Sequence, residues 1–200
     1  MTVVQDLTYE TKFWGNCCNT FAEERKHFVY ARLMGFTTWA DKILIPDGLK
    51  ILDMGGGPVS MLLKTHAAVQ GVVWDPIVYP SWIKDRYAAK NIELVTANGE
   101  DLNRDGFDEV WIYNCLQHTI APEKIVRKCM KAAKVIRMFE WIDLEPHLGH
   151  PHKLTEVDLN AWTGKKGHVT TFNGEEGCYG KAYCLFQFTG NYCFNLRGTN

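Results

Sequence analysis

The sequence predicts an α/β protein built on a doubly wound, mostly parallel sheet. Between residues 50 and 141, apolar runs of strand length alternate with amphipathic stretches of helix length, the pattern of βαβ units. The first run ends in Asp53 and passes at once into Gly55-Gly56-Gly57. Such a strand, tight turn and helix start lets backbone approach a ligand closely. The second run ends in another acid, Asp75. Two carboxylates therefore fall at the carboxyl edge of the sheet, where open α/β folds bind ligands.

Ahead of the sheet, Thr20-Phe21-Ala22-Glu23 reads as a capping box. It opens a helix over 21–34 that stops at Gly35, with Phe21, Ala22, Phe28, Val29 and Leu33 on one face. This helix serves as an N-terminal cover for the crevice or the sheet flank. A strand then ends at Asp53 and a helix follows from Ser60. A second strand spans 71–75, a helix 82–90, a third strand 92–96 and a fourth 109–113. Pro122 suits the first position of the next helix, which turns Ile125, Val126, Cys129, Met130 and Ala133 inward. A fifth strand covers 135–141, and a loop runs over 143–153. Thr155-Glu156-Val157-Asp158 is a second capping box, with Leu154 and Leu159 placed as its hydrophobic staple and Gly164 as its stop. The C-terminal part reads as a hairpin: alternation over 182–189, a Gly190-Asn191 turn, then 192–196. The pattern leaves 168–172 unassigned.

The 200 residues fit one domain, 1–200, with enough apolar content for a core. Lysine and arginine number 22 against 23 acids, for a net charge of −1, and no basic block stands out. A dedicated nucleic-acid surface is therefore not expected. The first six residues lack the basic flank and apolar core of a leader, and no apolar run is long enough to cross a bilayer. Seven cysteines, an odd number without metal-ligand spacing, suit free thiols in a reducing cytoplasm. Cys17 and Cys18 have no basic neighbour that would activate a thiol. No oligomeric state is legible.

The chemistry rests on the acid ahead of the glycines. A pyrophosphate would be repelled by Asp53, whereas an ammonium group would be attracted to it. This favours S-adenosyl-L-methionine over a nicotinamide dinucleotide, although Gly55-x-Gly57 followed by Ser60 also approximates a dinucleotide loop. Asp75 lies ~20 residues beyond the turn, where either nucleotide fold places its ribose ligand. Pro76 and Ile77 follow it, suited to pack on adenine; Asp75-Pro76 also reads as a plain turn.

On these residues the chain resembles the class I S-adenosylmethionine-dependent methyltransferases over roughly residues 50–145. Asp53 to Gly57 looks like their first motif and Val72-Val73-Trp74-Asp75 like their second strand. Asn98-Gly99-Glu100-Asp101-Leu102 resembles the adenine loop. Phe107 to Asn114, followed by Leu116-Gln117-His118, resembles the fourth strand and its turn. Val59 stands where many members carry a further glycine, and Asn98 where the usual residue is Asp. The resemblance implies a Rossmann-like, seven-stranded sheet with a C-terminal antiparallel hairpin. It also implies S-adenosyl-L-methionine as cofactor and methyl transfer to an oxygen or nitrogen of a small-molecule acceptor. Gly55 and Gly57 would contact the ribose and methionine end, and Asp53 would orient the amino group. Asp75 would hold the ribose hydroxyls. Asn98, Gly99, Glu100 and Asp101 would contact adenine, and Asn114 to Leu116 would line the methionine end. No Asn-Pro-Pro-Tyr-type motif follows the fourth strand, which argues against amino-methylation of adenine in nucleic acid. A non-catalytic S-adenosylmethionine-binding regulator and a nicotinamide oxidoreductase are the rival readings.

Histidines supply the candidate proton-transfer groups. His118 follows the fourth strand, beside the expected methyl. His147, His150 and His152 cluster after the fifth strand, with Asp143 and Glu145 before them. Their spacing matches no zinc signature, so they read as acceptor-pocket or lid residues and no metal is expected. Tyr9, Phe13 and Trp14 either stack on a substrate or close the core.

Overall fold

The computed structural model describes residues 7–189. Seven strands form the main sheet: β3 (Lys50–Met54), β4 (Gln70–Asp75), β5 (Ile92–Thr96), β6 (Phe107–Tyr113), β7 (Ala133–Ile142), β8 (His168–Asn173) and β9 (Tyr179–Phe188). Their order is β5-β4-β3-β6-β7-β9-β8. The pairings from β5 through β7 are parallel, and those of β9 with β7 and with β8 are antiparallel. Register aligns Asp53 with Val73 and Trp111, and Asp75 with Thr96. The ends of β3, β4 and β6 thus share one edge.

Alternation along each strand fills two cores. Ile51 and Trp111 face one layer, packed with α2 (Cys17–Leu33) and α3 (Ser81–Ala88). Leu52, Val110 and Ile112 face the other, packed with α4 (Pro122–Ala132) and α5 (Glu156–Thr163). Burial on both faces explains the near-continuous apolar strands. A small antiparallel pair, β1 (Thr37–Trp39) and β2 (Lys42–Leu44), precedes the sheet, its turn made by Ala40 and Asp41 at positive φ. No helix among the described residues is long and apolar enough to cross a membrane.

Several local expectations are corrected. The N-terminal cover has two helices, α1 (Leu7–Trp14) and α2, and α2 starts at Cys17, four residues before the predicted start at Phe21. Asn16 is the cap, its Oδ1 accepting from Cys18 N at 2.9 Å. Thr20 lies inside the helix and donates to Asn16 O. The predicted apolar face is rotated: Phe21 is 62% exposed, while His27, Val29, Tyr30 and Ala31 are buried. Tyr30 stacks on Phe139 at 4.1 Å and His27 meets Tyr113 edge-on.

The helix expected from Ser60 is two 3-10 turns, Gly57–Val59 and Met61–Lys64. Their backbone donors are claimed elsewhere: Ser60 N donates to Tyr87 Oη at 2.9 Å and Met61 N to Tyr113 Oη at 3.0 Å. Those phenols satisfy donors that any helix start leaves unpaired. The segment itself closes from i to i−3, Leu63 N to Ser60 O at 3.1 Å and Thr65 N to Leu62 O at 3.4 Å, and turns extended at Thr65. Residues 168–173, unassigned from sequence, form β8 and pair with β9. The Gly190-Asn191 turn and 192–196 lie outside the described residues. In α4, Ile125, Val126 and Cys129 are buried as expected; Met130 is half-buried, and Ala133 already belongs to β7. The second box holds: Thr155 Oγ1 accepts from Asp158 N, Leu154 and Leu159 are buried, and Gly164 ends the helix at φ 65°.

Two buried charges fix this frame. Arg137 on β7 donates Nε and Nη2 to Glu109 on β6 at 2.8 and 3.1 Å, and Nη1 to the Met34 carbonyl at 2.9 Å. Its guanidinium lies between the rings of Phe36 and Phe186, at 4.0 and 3.8 Å, as a planar cation on aromatic faces does. It thereby joins the end of α2 to the sheet. Glu140, fully buried on β7, accepts from Cys115 N and Leu116 N at 3.1 Å each. It holds the turn that carries residues 114–118 over the sheet edge. Burial pushes its carboxyl up to about 7, against 4.5 for an ordinary glutamate.

Arg137→Ala leaves Glu109 charged and buried with its main partner gone. It should lower the unfolding free energy by about 3–5 kcal/mol in urea titrations. Glu140→Gln keeps the acceptor for Cys115 and Leu116. In the wild type, the folded state holds the Glu140 proton where the unfolded chain has lost it, so stability falls as pH rises from about 4.5 to about 7. The glutamine chain escapes that loss. Its stability relative to wild type should grow across this window by on the order of 1–3 kcal/mol, read from urea midpoints on either side of it.

Candidate functional site

A cavity of about 380 Å³ lies over the carboxyl edge formed by β3, β4 and β6, within the size range of small-molecule sites. One side is built from the sheet edge: Met54 and Gly55 after β3, Asp75, Pro76 and Ile77 after β4, Gly99 and Glu100 after β5, Asn114 and Cys115 after β6. The other side is α1, contributing Leu7, Tyr9, Glu10, Phe13 and Trp14, with Glu23 and Lys26 of α2 and His118, His147 and His150. Nine of the predicted positions thus meet at one cavity: Gly55, Asp75, Pro76, Gly99, Glu100, Asn114, His118, His147 and His150. Asp53, Gly57, Asn98, Asp101 and Leu116 do not line it.

Asp53 is fully buried beneath the turn. Its Oδ2 accepts from Ser60 Oγ and, at 2.6 Å, from Tyr113 Oη, while Oδ1 has no partner. The expected orientation into the crevice is corrected, because the hydroxyls inside the turn take the carboxylate. Burial pushes its pKa up to about 7. The three glycines answer mainly to the protein itself. At Gly55, with φ +72°, a Cβ would meet Cys115 Cβ at 2.6 Å; at Gly56 it would fall 2.5 Å from the Asp53 carboxylate. Gly57 also has positive φ, but a Cβ there would only touch Trp14. The space a side chain at Gly55 would fill is therefore occupied by Cys115.

Asp75 is the acid that faces the cavity. Its Oδ1 accepts from Ile77 N at 2.9 Å and Tyr79 Oη at 3.1 Å, and Oδ2 accepts from Gly57 N at 3.1 Å. A carboxylate offers about four acceptor positions, so Oδ2 retains a lone pair. Burial raises its pKa to about 6, against these three donors. In the loop after β5, Asn98 O accepts from Trp74 Nε1 at 2.9 Å, and Glu100 Oε1 accepts from Ile120 N and Ala121 N ahead of α4. Leu116 is fully buried in the α4-side core.

Asn114, at φ 49°, donates to Glu23 Oε2 at 3.2 Å and accepts from Gln117 Nε2 at 2.8 Å. His118 Nδ1 lies 2.7 Å from Gly149 O and 2.8 Å from Glu10 Oε1. Burial lowers the His118 pKa, but Glu10 and the Gly149 carbonyl outweigh it and leave the imidazole above its ordinary value. His147 and His150 close a tight turn through reciprocal backbone bonds of 3.0 and 2.9 Å. Burial, then the charges of His118 and His147, push His150 down to about 4. His152 faces away from the cavity and bonds the carbonyls of Thr119 and Ile120, anchoring the loop. No group of three His, Cys, Asp or Glu side chains among the described residues is placed to hold a metal.

Sequence reasoning missed Glu10, Glu23 and Glu140. For Glu10 a signal existed: Tyr9, Glu10, Phe13 and Trp14 follow helical i, i+3, i+4 spacing. Glu23 was assigned to a cap it does not make. Glu140 reads only as one residue of an apolar strand.

No family model and no curated protein matches the chain. Solved structures do. The chain is similar to the magnesium protoporphyrin IX methyltransferase of Synechocystis, crystallised with bound S-adenosylmethionine, at TM-score 0.56 and 14% identity over 86% of this chain and 84% of that one. It is similar to the Haloferax volcanii partner of the Trm112 methyltransferase activator at TM-score 0.59 and 10% identity, over 88% and 94%. The cyclase SpnF also matches, at TM-score 0.51 and 15% identity over 68% of this chain, which spans only 55% of that protein. One architecture thus carries different reactions. Together with the strand order, these likenesses give the chain the fold of the class I S-adenosylmethionine-dependent methyltransferases.

Proposed function

We propose that the protein binds S-adenosyl-L-methionine and transfers its methyl group to an oxygen or nitrogen of a small-molecule acceptor. The observation that carries this reading is Asp75: a strand-terminal acid with an uncommitted lone pair, facing a cavity between the glycine turn and the adenine loop. That position suits ribose hydroxyls. The rest of the wall fits the same cofactor. Pro76, Ile77, Gly99 and Ile125 provide an apolar slot for adenine. Gly55 and Asn114 flank the methionine end. Asp53 serves the cofactor indirectly, by holding the turn.

The cofactor supplies an electrophilic methyl group on a sulfonium, and the protein's task is to align a nucleophile with it and exclude water. Tyr9, Phe13 and Trp14 of α1 and the His147–His150 turn close the side away from the sheet. The acceptor would lie there, against aromatic rings with polar groups at the margin. That the fold likeness includes an enzyme crystallised with this cofactor is consistent with the reading.

Calorimetric titration with S-adenosylhomocysteine tests it. Wild type should bind, and Asp75→Asn should lose about 1.5–3 kcal/mol of affinity, the worth of a charge-assisted contact. Affinity should also fall as pH drops through about 6, where Asp75 takes up its proton. No binding to wild type, or an unchanged affinity in the variant, overturns the reading.

A further inference from the structure

We propose that Glu10 is the positioning residue for His118: the Gly149 carbonyl fixes the Nδ1–H tautomer and the Glu10 carboxylate stabilises the protonated ring, so that Nε2 is the base and the methyl acceptor is a hydroxyl. This rests on the methyl-transfer reading. His118 and Glu10 line the same cavity side by side, one from the turn after β6 and one from α1. Nδ1 faces two acceptors, the Gly149 carbonyl at 2.7 Å and Glu10 Oε1 at 2.8 Å. The carbonyl takes the hydrogen bond. Glu10 Oε1 is buried without a hydrogen-bond partner of its own, so its charge is directed at the ring. The other nitrogen is constrained in the opposite sense. Nε2 lies 3.4 Å from Gln117 Nε2, whose amide already donates to Asn114 Oδ1 at 2.8 Å. A donor facing Nε2 requires a lone pair there, not a proton. Both ends of the ring therefore select one tautomer, as a carboxylate does for a histidine it orients.

The consequence is chemical. An amine or a thiolate attacks a methyl sulfonium without prior proton loss, whereas a hydroxyl is a poor nucleophile until its proton leaves. Here the O–H bond breaks with its electron pair left on oxygen, and an N–H bond forms at Nε2. That pair makes the new O–C bond while sulfur takes the C–S pair. The resulting imidazolium lies beside the Glu10 carboxylate, which stabilises it. Tyr9, Phe13 and Trp14, on the same helix as Glu10, suit a hydroxyl carried on an apolar ring.

The titratable groups that face His118 come from three places: Glu10 on α1, Glu140 on β7 and His150 on the turn; His147, and the Glu23–Lys26 pair of α2, line the same cavity. Of these, Glu10 makes the close approach to the ring.

Nitrogen-15 NMR of histidine-labelled protein, with His118→Asn used for assignment, reads tautomer and titration directly. Wild type should show His118 as the Nδ1–H tautomer, titrating above the free-imidazole value. Glu10→Gln should keep the tautomer, still held by Gly149, and lower the pKa by about one unit. An Nε2–H tautomer in wild type overturns the proposal without any variant. So does an unmoved pKa in Glu10→Gln. S-adenosylhomocysteine titration of the same wild-type sample separates the two layers. Binding together with the wrong tautomer removes the Glu10–His118 pairing alone, and absence of binding removes the methyl-transfer reading beneath it.

Discussion

The buried carboxylate of Asp53 is the constraint on which the crevice depends. Through Oδ2 it joins Ser60, just past the glycine turn, to Tyr113 at the end of β6. Tyr113 Oη in turn accepts from Met61 N, and Tyr87 Oη from α3 bridges Ser60 N and Gly57 O at 2.9 and 2.6 Å. These phenols satisfy the first backbone donors after the turn, which a helix start would leave unpaired. Asp75 completes the web by accepting from Gly57 N. Glycine is required at Gly56 because the Asp53 carboxylate lies where a Cβ would go. The turn is thus shaped from beneath, by protein atoms, leaving its upper surface to the cavity.

Such a web takes several acids largely out of water. Asp53, Asp75 and Glu140 are all buried at one edge of the sheet, and burial raises the pKa of each. Each carboxylate is held by backbone or phenol donors, and Asp53 and Glu140 each keep one oxygen without a partner. Charges in that arrangement are costly when ionised. Asp53 and Glu140 carry that cost while holding the turns beneath the cavity, and Asp75 carries it while lining the cavity itself. Arg137 and Glu109 are the contrasting case. Their pair is buried, satisfied on every side and far from the cavity lining, and it serves the frame.

Most of the fold was legible because its signals are local. The strands at 71–75, 92–96 and 109–113 read directly from apolar runs, and Thr155 and Gly164 bracket α5 by cap chemistry. What failed depended on distant partners. The segment after Ser60 carries a helical pattern, but it closes as 3-10 turns pinned by Tyr87 and Tyr113 and turns extended at Thr65. Thr20 has the spacing of a cap, yet Asn16 precedes it and wins, because the helix gains a further turn by starting earlier. β8 is half-exposed, with polar Thr170 and Thr171 at its centre, and only pairing with β9 defines it. At the site, the glycine turn, Asp75 and His118 were visible as types in place. The direction of Asp53 was not, since a strand-terminal acid reads the same whether it faces out or is claimed by a tyrosine from below.

The helix α1 is where fold and chemistry meet most narrowly. Eight residues are too few to be stable as an isolated helix, so its form depends on what it touches. Trp14 lies against Gly57, Tyr9 fills the space above Gly149, and Glu10 approaches His118. Its end is tied down by side chains of α2, with Asn19 and Thr20 donating to the carbonyls of Phe13 and Trp14 at 3.2 Å. One face of a short helix therefore contacts the glycine turn, the histidine turn and the ring that follows β6. The groups that would hold an acceptor sit on the least self-sufficient element of the chain, and the groups that would hold a cofactor sit on the most rigid one. An element of that kind is ordered by the surfaces it bridges. A ligand filling the cavity would add one more such surface.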